Sequence, residues 1–131
     1  MIKWPITYTN YNGETVTEDY YFNLNKAELI QMQFEANGAY SSYINRIVEE
    51  RDFKTLGQEF RKIILGAYGK KSDDGRQFRK SDEMRDDFEQ SEAYATLYFE
   101  LLNDTDKMTR FIQGVLPAEL REASQNTLLP A

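Results

Sequence analysis

Apolar and polar residues alternate from Ile2 to Phe22, and beyond residue 23 the apolar spacing becomes helical. This change of period restricts the chain more than any motif in it. Side chains of a strand alternate between two faces, whereas those of a helix return to one face every three or four residues. In the first segment Ile2, Trp4, Ile6 and Tyr8 share one strand face, and Val16, Tyr20 and Phe22 share a face of the next strand. The link Tyr11-Asn12-Gly13 admits two registers. A two-residue Asn12-Gly13 turn pairs Ile6 with Asp19 and Trp4 with Tyr21. A three-residue loop with Gly13 in the left-handed region pairs Ile2 with Phe22, Trp4 with Tyr20 and Tyr8 with Val16. The second register keeps the apolar residues together, with Glu18 opposite Ile6 as its exception, and is the one expected. Pro5 has no N–H for a ladder, which puts the first strand at a sheet edge.

Asn25, followed three residues later by Glu28, has the spacing of a capping box and predicts a helix running to Asn37-Gly38. Tyr40, Tyr43, Ile44, Ile47 and Val48 form a second helical stripe. Asp52 can cap a third helix, with Phe53, Leu56, Phe60, Ile63, Ile64 and Ala67 on one side. Gly57 and Gly66 each weaken that helix by about 1 kcal/mol relative to alanine, which points to close packing. Residues 66–81 read as a polar, glycine-bounded turn between two helices. Ser81 then caps a short acidic helix. Ser91 caps one carrying Tyr94, Leu97, Tyr98 and Leu101, and Asp104 caps one carrying Met108, Phe111, Ile112 and Val115. Pro117 ends the last helix.

The expectation is a single α+β domain over residues 1–131, mostly helical. It has an N-terminal β-hairpin over 2–22, a compact bundle of five or six helices over 25–116, and a frayed tail over 118–131. Trp4, Phe60, Ile64, Leu97, Tyr98 and Phe111 are its expected core.

The chain of 131 residues is 40% hydrophobic and 14% aromatic, enough for one core. Its formal charge of −6 argues against general attraction to nucleic acid or an anionic membrane. The longest apolar run, Ile63 to Tyr68, is far short of a membrane span, and the first ten residues lack the continuous apolar core of a secretory signal. A soluble, cytoplasmic protein is expected. There is neither cysteine nor histidine. Disulfides and thiolate zinc sites are excluded, and the usual general base near neutral pH is missing. An enzyme built here would depend on carboxylates, lysine or tyrosine, so no catalytic centre and no cofactor are expected.

The stretch 66–81, "GAYGKKSDDGRQFRKS", invites two motif readings that fail when spelled out. A phosphate loop needs a glycine where Ile64 stands and a hydroxyl where Lys71 stands. A calcium loop with Gly75 at its sixth position would begin on Lys70 and end on Ser81, without the closing glutamate. Charge is the stronger signal. Residues 61–80 hold Arg61, Lys62, Lys70, Lys71, Arg76, Arg79 and Lys80 against Asp73 and Asp74, a net of +5, which leaves −11 for the rest. Residues 82–106 carry nine carboxylates and one cation, Arg85. The basic segment is either a grip for phosphate or an acidic partner, or a solvated loop balanced by the acidic helix beside it. The plainer reading is preferred, since charge runs are usually solvated faces. Asp82 with Asp86, or Glu83 with Asp87, stand one helical turn apart, but without further convergent ligands a metal is not expected. Phe78, flanked by Arg76 and Arg79, reads equally as an interface anchor or as a residue tucked back onto the fold. The candidate partner-binding residues are Lys70, Lys71, Arg76, Phe78, Arg79 and Lys80.

"EDYYFNLNKAEL" (18–29), "AYGKKSDDGRQFRKSDEMRDDFEQSEAY" (67–94) and "FIQGVLP" (111–117) resemble, in that order, the tail assembly chaperones of long-tailed phages of Gram-positive bacteria. The middle block is the specific part, and residues 37–58 match in pattern alone. The resemblance implies a non-enzymatic protein of the host cytoplasm, absent from the mature virion and often accompanied by a longer frameshifted form. It implies binding to the tape-measure protein, which such chaperones keep soluble and extended, help in tail-tube assembly, and contacts with the tail-tube protein or further copies of itself. The alternative is a small phage regulatory or nucleic-acid-binding protein using the basic 61–80 segment.

Overall fold

The computed structural model describes residues 1–35 and 53–116. Strands β1 (Ile2–Thr9) and β2 (Thr15–Phe22) form the expected hairpin. Its register is the one that keeps the apolar residues together: Ile2 pairs with Phe22, Trp4 with Tyr20 and Tyr8 with Val16. Gly13 closes the loop at φ 80°, and its N–H donates to Asn10 O at 3.0 Å. The Asn10 side chain braces the turn by accepting from the N–H groups of Asn12 and Glu14. Glu18, the polar intruder opposite Ile6, is satisfied by the hydroxyls of Tyr8 and Tyr20.

Helix α1 (Lys26–Glu35) starts on a reciprocal capping box. Asn25 N–H donates to Glu28 Oε1 at 3.0 Å, and Glu28 N–H donates to Asn25 Oδ1 at 2.9 Å. The expected stop at Asn37-Gly38, the Tyr40–Val48 stripe, the Asp52 cap, Pro117 and the tail lie outside the described residues. Helix α2 (Phe53–Ala67) buries Leu56, Phe60, Ile63 and Ile64.

Residues 66–81 are not a turn between helices. The chain passes from Ala67 straight into strand β3 (Tyr68–Lys71), turns, and returns as the two-residue strand β4 (Phe78–Arg79). Tyr68 pairs with Phe22 and Gly69 with Tyr21, so this second hairpin extends the first into a four-stranded antiparallel sheet of order β1-β2-β3-β4. The fold is thus mixed α+β, but the expected hairpin followed by a helical bundle is corrected to a sheet with helices on one face. Pro5 does stand on an edge strand.

Three capped helices follow: α3 (Asp82–Glu89), α4 (Glu92–Leu102) and α5 (Thr105–Val115). Ser81, Ser91 and Asp104 accept from the N–H groups of Met84, Tyr94 and Lys107, as their positions predict. The end of α5 at Val115, with Leu116 extended at ψ 148°, matches the restriction that Pro117 imposes on its predecessor.

The core lies between the inner sheet face and these helices. Phe22 is its hub, with ring centroids of Phe111 at 5.0 Å, Phe88 at 5.9 Å and Tyr68 at 6.1 Å. Phe60, Ile64, Leu97 and Phe111 are fully buried, and Trp4 and Tyr98 pack half-buried at the margin. Trp4 meets Phe111 edge-on at 5.5 Å. Gly57 answers to close packing, since the Tyr98 hydroxyl occupies the place of its missing side chain; Gly66 faces open space.

Candidate functional site

The second hairpin gathers the residues that the sequence singles out. Its turn is built from the "SDDGR" letters. Ser72 N–H donates to Gln77 O at 2.8 Å, and Gly75 N–H donates to Ser72 O at 3.0 Å with Gly75 at φ 74°. Asp74 Oδ1 accepts from the Ser72 hydroxyl at 2.7 Å and from Arg76 N–H at 3.0 Å. The Ser72 hydroxyl, followed by that N–H, holds the Asp74 carboxyl below the usual carboxylate range. Ser72 Oγ also accepts from Gln77 N–H at 3.0 Å. Four backbone N–H groups are therefore consumed within the turn, and a phosphate would find no open nest there.

The structure separates Lys80 from the other cations. Its ammonium donates to Asn23 O, Gly66 O and Glu28 Oε2, each at 2.7 Å, which uses its three donors inside the fold. Burial pulls its pKa below the usual lysine value, and the Glu28 carboxylate works against that shift. Lys80 ties the start of α1 and the end of α2 to the residue after β4.

Phe78 is half-buried. It pairs with Lys71, and its ring fills the space over Gly69, where a Cβ would come 2.6 Å from Phe78 Cε2. Lys80 Nζ lies 5.7 Å from the ring centroid. The ring is tucked against the sheet and the residue remains partly exposed.

Lys70, Lys71, Arg76 and Arg79 are exposed. Lys70 and Arg79 are direct cross-strand partners, a like-charge pairing that destabilises an antiparallel ladder. Arg79 Nε donates to Gln77 Oε1 at 3.3 Å. None of the four cations forms an ion pair among the described residues. Three of them, Lys70, Lys71 and Arg79, line a surface depression of about 550 Å³ with Met84 and the turn residues Ser72, Asp73 and Asp74.

The neighbouring acidic helix does not balance them. Asp82 is bound by Arg85 of its own helix at 2.6 Å, and Glu89 by Arg61 of α2 at 2.7 Å. Glu83, Asp86 and Asp87 are exposed and form no ion pair among the described residues. The hairpin cations and these helix carboxylates are thus not matched to each other by ion pairs among the described residues. A second surface was not singled out by the sequence. Phe99, 70% exposed, projects from α4 into a groove flanked by Glu92, Glu100 and Asp104. Its position off the Tyr94–Leu97–Tyr98–Leu101 stripe is the signal that marks it as outward-facing.

Among the described residues no helix is long and apolar enough to cross a membrane, and no group of three or more acidic side chains is placed to hold a metal. A family model described as phage tail assembly chaperone matches residues 1–128. The chain belongs to that family. No curated protein and no solved structure matches this chaperone. The hairpin turn and acidic helix on which the resemblance rests most specifically are thus, in this chaperone, the second hairpin and α3.

Proposed function

We propose that this chaperone binds the tape-measure protein of its phage, keeps it soluble and extended while the tail tube assembles, and leaves before the virion is complete. It acts in the host cytoplasm and without catalysis. The observation that carries this reading is the family match across residues 1–128. The geometry supports a role through surfaces rather than through a reacting centre. Its polar turn is closed on itself, and its charged side chains stand outward on a rigid hairpin anchored by Lys80.

The partner-binding face in this reading is the second hairpin, through Lys70, Lys71, Arg76, Phe78 and Arg79. The exposed cations set orientation and rate of encounter, and the exposed part of Phe78 supplies the apolar contact. Lys80 serves the face indirectly, by fixing the end of β4. The test is co-expression of the tape-measure protein with Phe78→Ala combined with Arg76→Glu, followed by sizing and circular dichroism. A folded double mutant should form less complex. Unchanged complex formation by a folded mutant would move the binding face elsewhere, and salt-dependent DNA binding by the wild type would favour a nucleic-acid partner.

A further inference from the structure

The geometry points to a two-fold contact between copies of this chain, in which the second hairpin of each receives the acidic face of the other's α3. This goes beyond the tape-measure reading and gives the hairpin a partner of its own, a second copy of the chain. Lys70 and Arg79 oppose each other across β3 and β4, and an anion placed between them removes their repulsion. The hairpin's own Asp74 is not free to serve, since its carboxylate is turned into the loop by Ser72 and Arg76. Nor does the adjoining helix reach across, because Asp82 is held by Arg85 and Glu89 by Arg61.

The complementary cluster lies on the same molecule. Glu83, Asp86 and Asp87 follow the i, i+3, i+4 spacing, which lines three carboxylates along one exposed stripe of α3. Like charges at that spacing are unfavourable in a helix, as Lys70 opposite Arg79 is unfavourable in a sheet. Neither cluster forms an ion pair among the described residues, and each has the sign that relieves the other.

The fold sets the symmetry. α3 begins three residues after β4 and packs against β3, so the stripe is carried by the helix that borders the hairpin, and the contact uses their joint surface. A two-fold axis through that surface matches hairpin to stripe twice, which makes the contact isologous and closed at two copies. Half-buried Met84, beside Lys70 and Arg79 in the depression, offers its thioether to the methylenes of an incoming Glu83.

The experiment is sedimentation of the full chain, without other proteins, at low and at high salt. The wild type should dimerise, and the dimer should weaken at least roughly tenfold once salt shortens the screening length to a few ångströms. Two charge-reversed variants are then compared. Lys70→Glu with Arg79→Glu makes hairpin and stripe both negative, and Glu83→Lys with Asp86→Lys makes both positive. Each variant alone should be monomeric, and an equimolar mixture should restore a dimer. Lys70→Glu alone separates folding from binding. It places an opposite charge against Arg79, so it should raise the thermal midpoint of the monomer while weakening the dimer.

A wild type that stays monomeric at low salt would overturn the proposal, as would variants that dimerise normally or a mixture that stays monomeric. Retained dimers in a hairpin variant that no longer binds the tape-measure protein would overturn this contact and leave the hairpin as the tape-measure face. Lost dimers with an intact tape-measure complex would support it.

Discussion

The Lys80 ammonium donates to the Glu28 carboxylate at 2.7 Å across 52 residues of chain, joining the end of the second hairpin to the first turn of α1. The same nitrogen donates to Asn23 O and Gly66 O, so one half-buried cation ties the β2–α1 link and two helices together. Lys80→Met keeps the aliphatic stem but leaves two carbonyls and a carboxylate without their donor. The loss should cost about 2–4 kcal/mol, because a half-buried charge deprived of its partner is expensive. Denaturant unfolding of the variant checks it. Arg76→Met, by contrast, should leave stability within about 0.5 kcal/mol, as expected for an exposed position.

Phe22 is the least replaceable side chain of the sheet. It has no exposed surface and contacts Tyr68, Phe88 and Phe111, from three different elements. Phe22→Ala should lose about 3–5 kcal/mol through lost transfer energy and an unfilled cavity. Fluorescence of Trp4, the single tryptophan, follows the unfolding, since its ring rests on Phe111.

Two glycines three residues apart should respond in opposite directions. A Cβ on Gly69 meets the Phe78 ring at 2.6 Å and Arg79 O at 2.7 Å, so Gly69→Ala should push β4 away and cost about 1–3 kcal/mol. Nothing lies within 4 Å of a Cβ on Gly66, and Gly66→Ala should gain about 0.5–1 kcal/mol from reduced backbone entropy of the unfolded chain. Thermal melts of the two variants beside the wild type decide it.

Alkaline pH should unfold the protein through its tyrosines. Burial raises the pKa of Tyr20, Tyr68 and Tyr94 above 10.0, with Tyr94 pushed up to about 12. The unfolded chain releases these protons first. Their contribution is fully present below pH 10 and is lost as pH rises toward the folded values. Lys80 has the opposite sign, because its lowered pKa makes stability rise with pH just below 10.5. Three tyrosines outweigh one lysine, so the thermal midpoint should fall above pH 10. Titration of the folded protein by ultraviolet absorbance should show some tyrosines ionising well above the ordinary value of 10.0.

Much of the fold was legible because it is encoded locally. The β1–β2 register follows from alternation and a glycine three residues into a loop. Helix starts follow from Asn25, Ser81, Ser91 and Asp104, each of which bonds an N–H three residues ahead. The second hairpin was illegible for the converse reason. β3 is four residues long, two of them lysine and one glycine, and its identity as a strand comes from pairing with Tyr21 and Phe22 far earlier in the chain. Gly75 marked a turn without saying what it joined. Lys80 looked like one more surface cation, and only the carbonyls of Asn23 and Gly66 give it an interior role. The six candidate residues fall together on the second hairpin and its end, yet their division into inner and outer positions required the sheet.

The most direct test of the account is the solubility of the tape-measure protein expressed with and without this chaperone, read as the soluble fraction after centrifugation and by co-elution on sizing. The account predicts that the tape-measure protein is insoluble alone and soluble in a shared complex when the chaperone is present. A tape-measure protein whose solubility and elution are unchanged by a folded, abundant chaperone would contradict it.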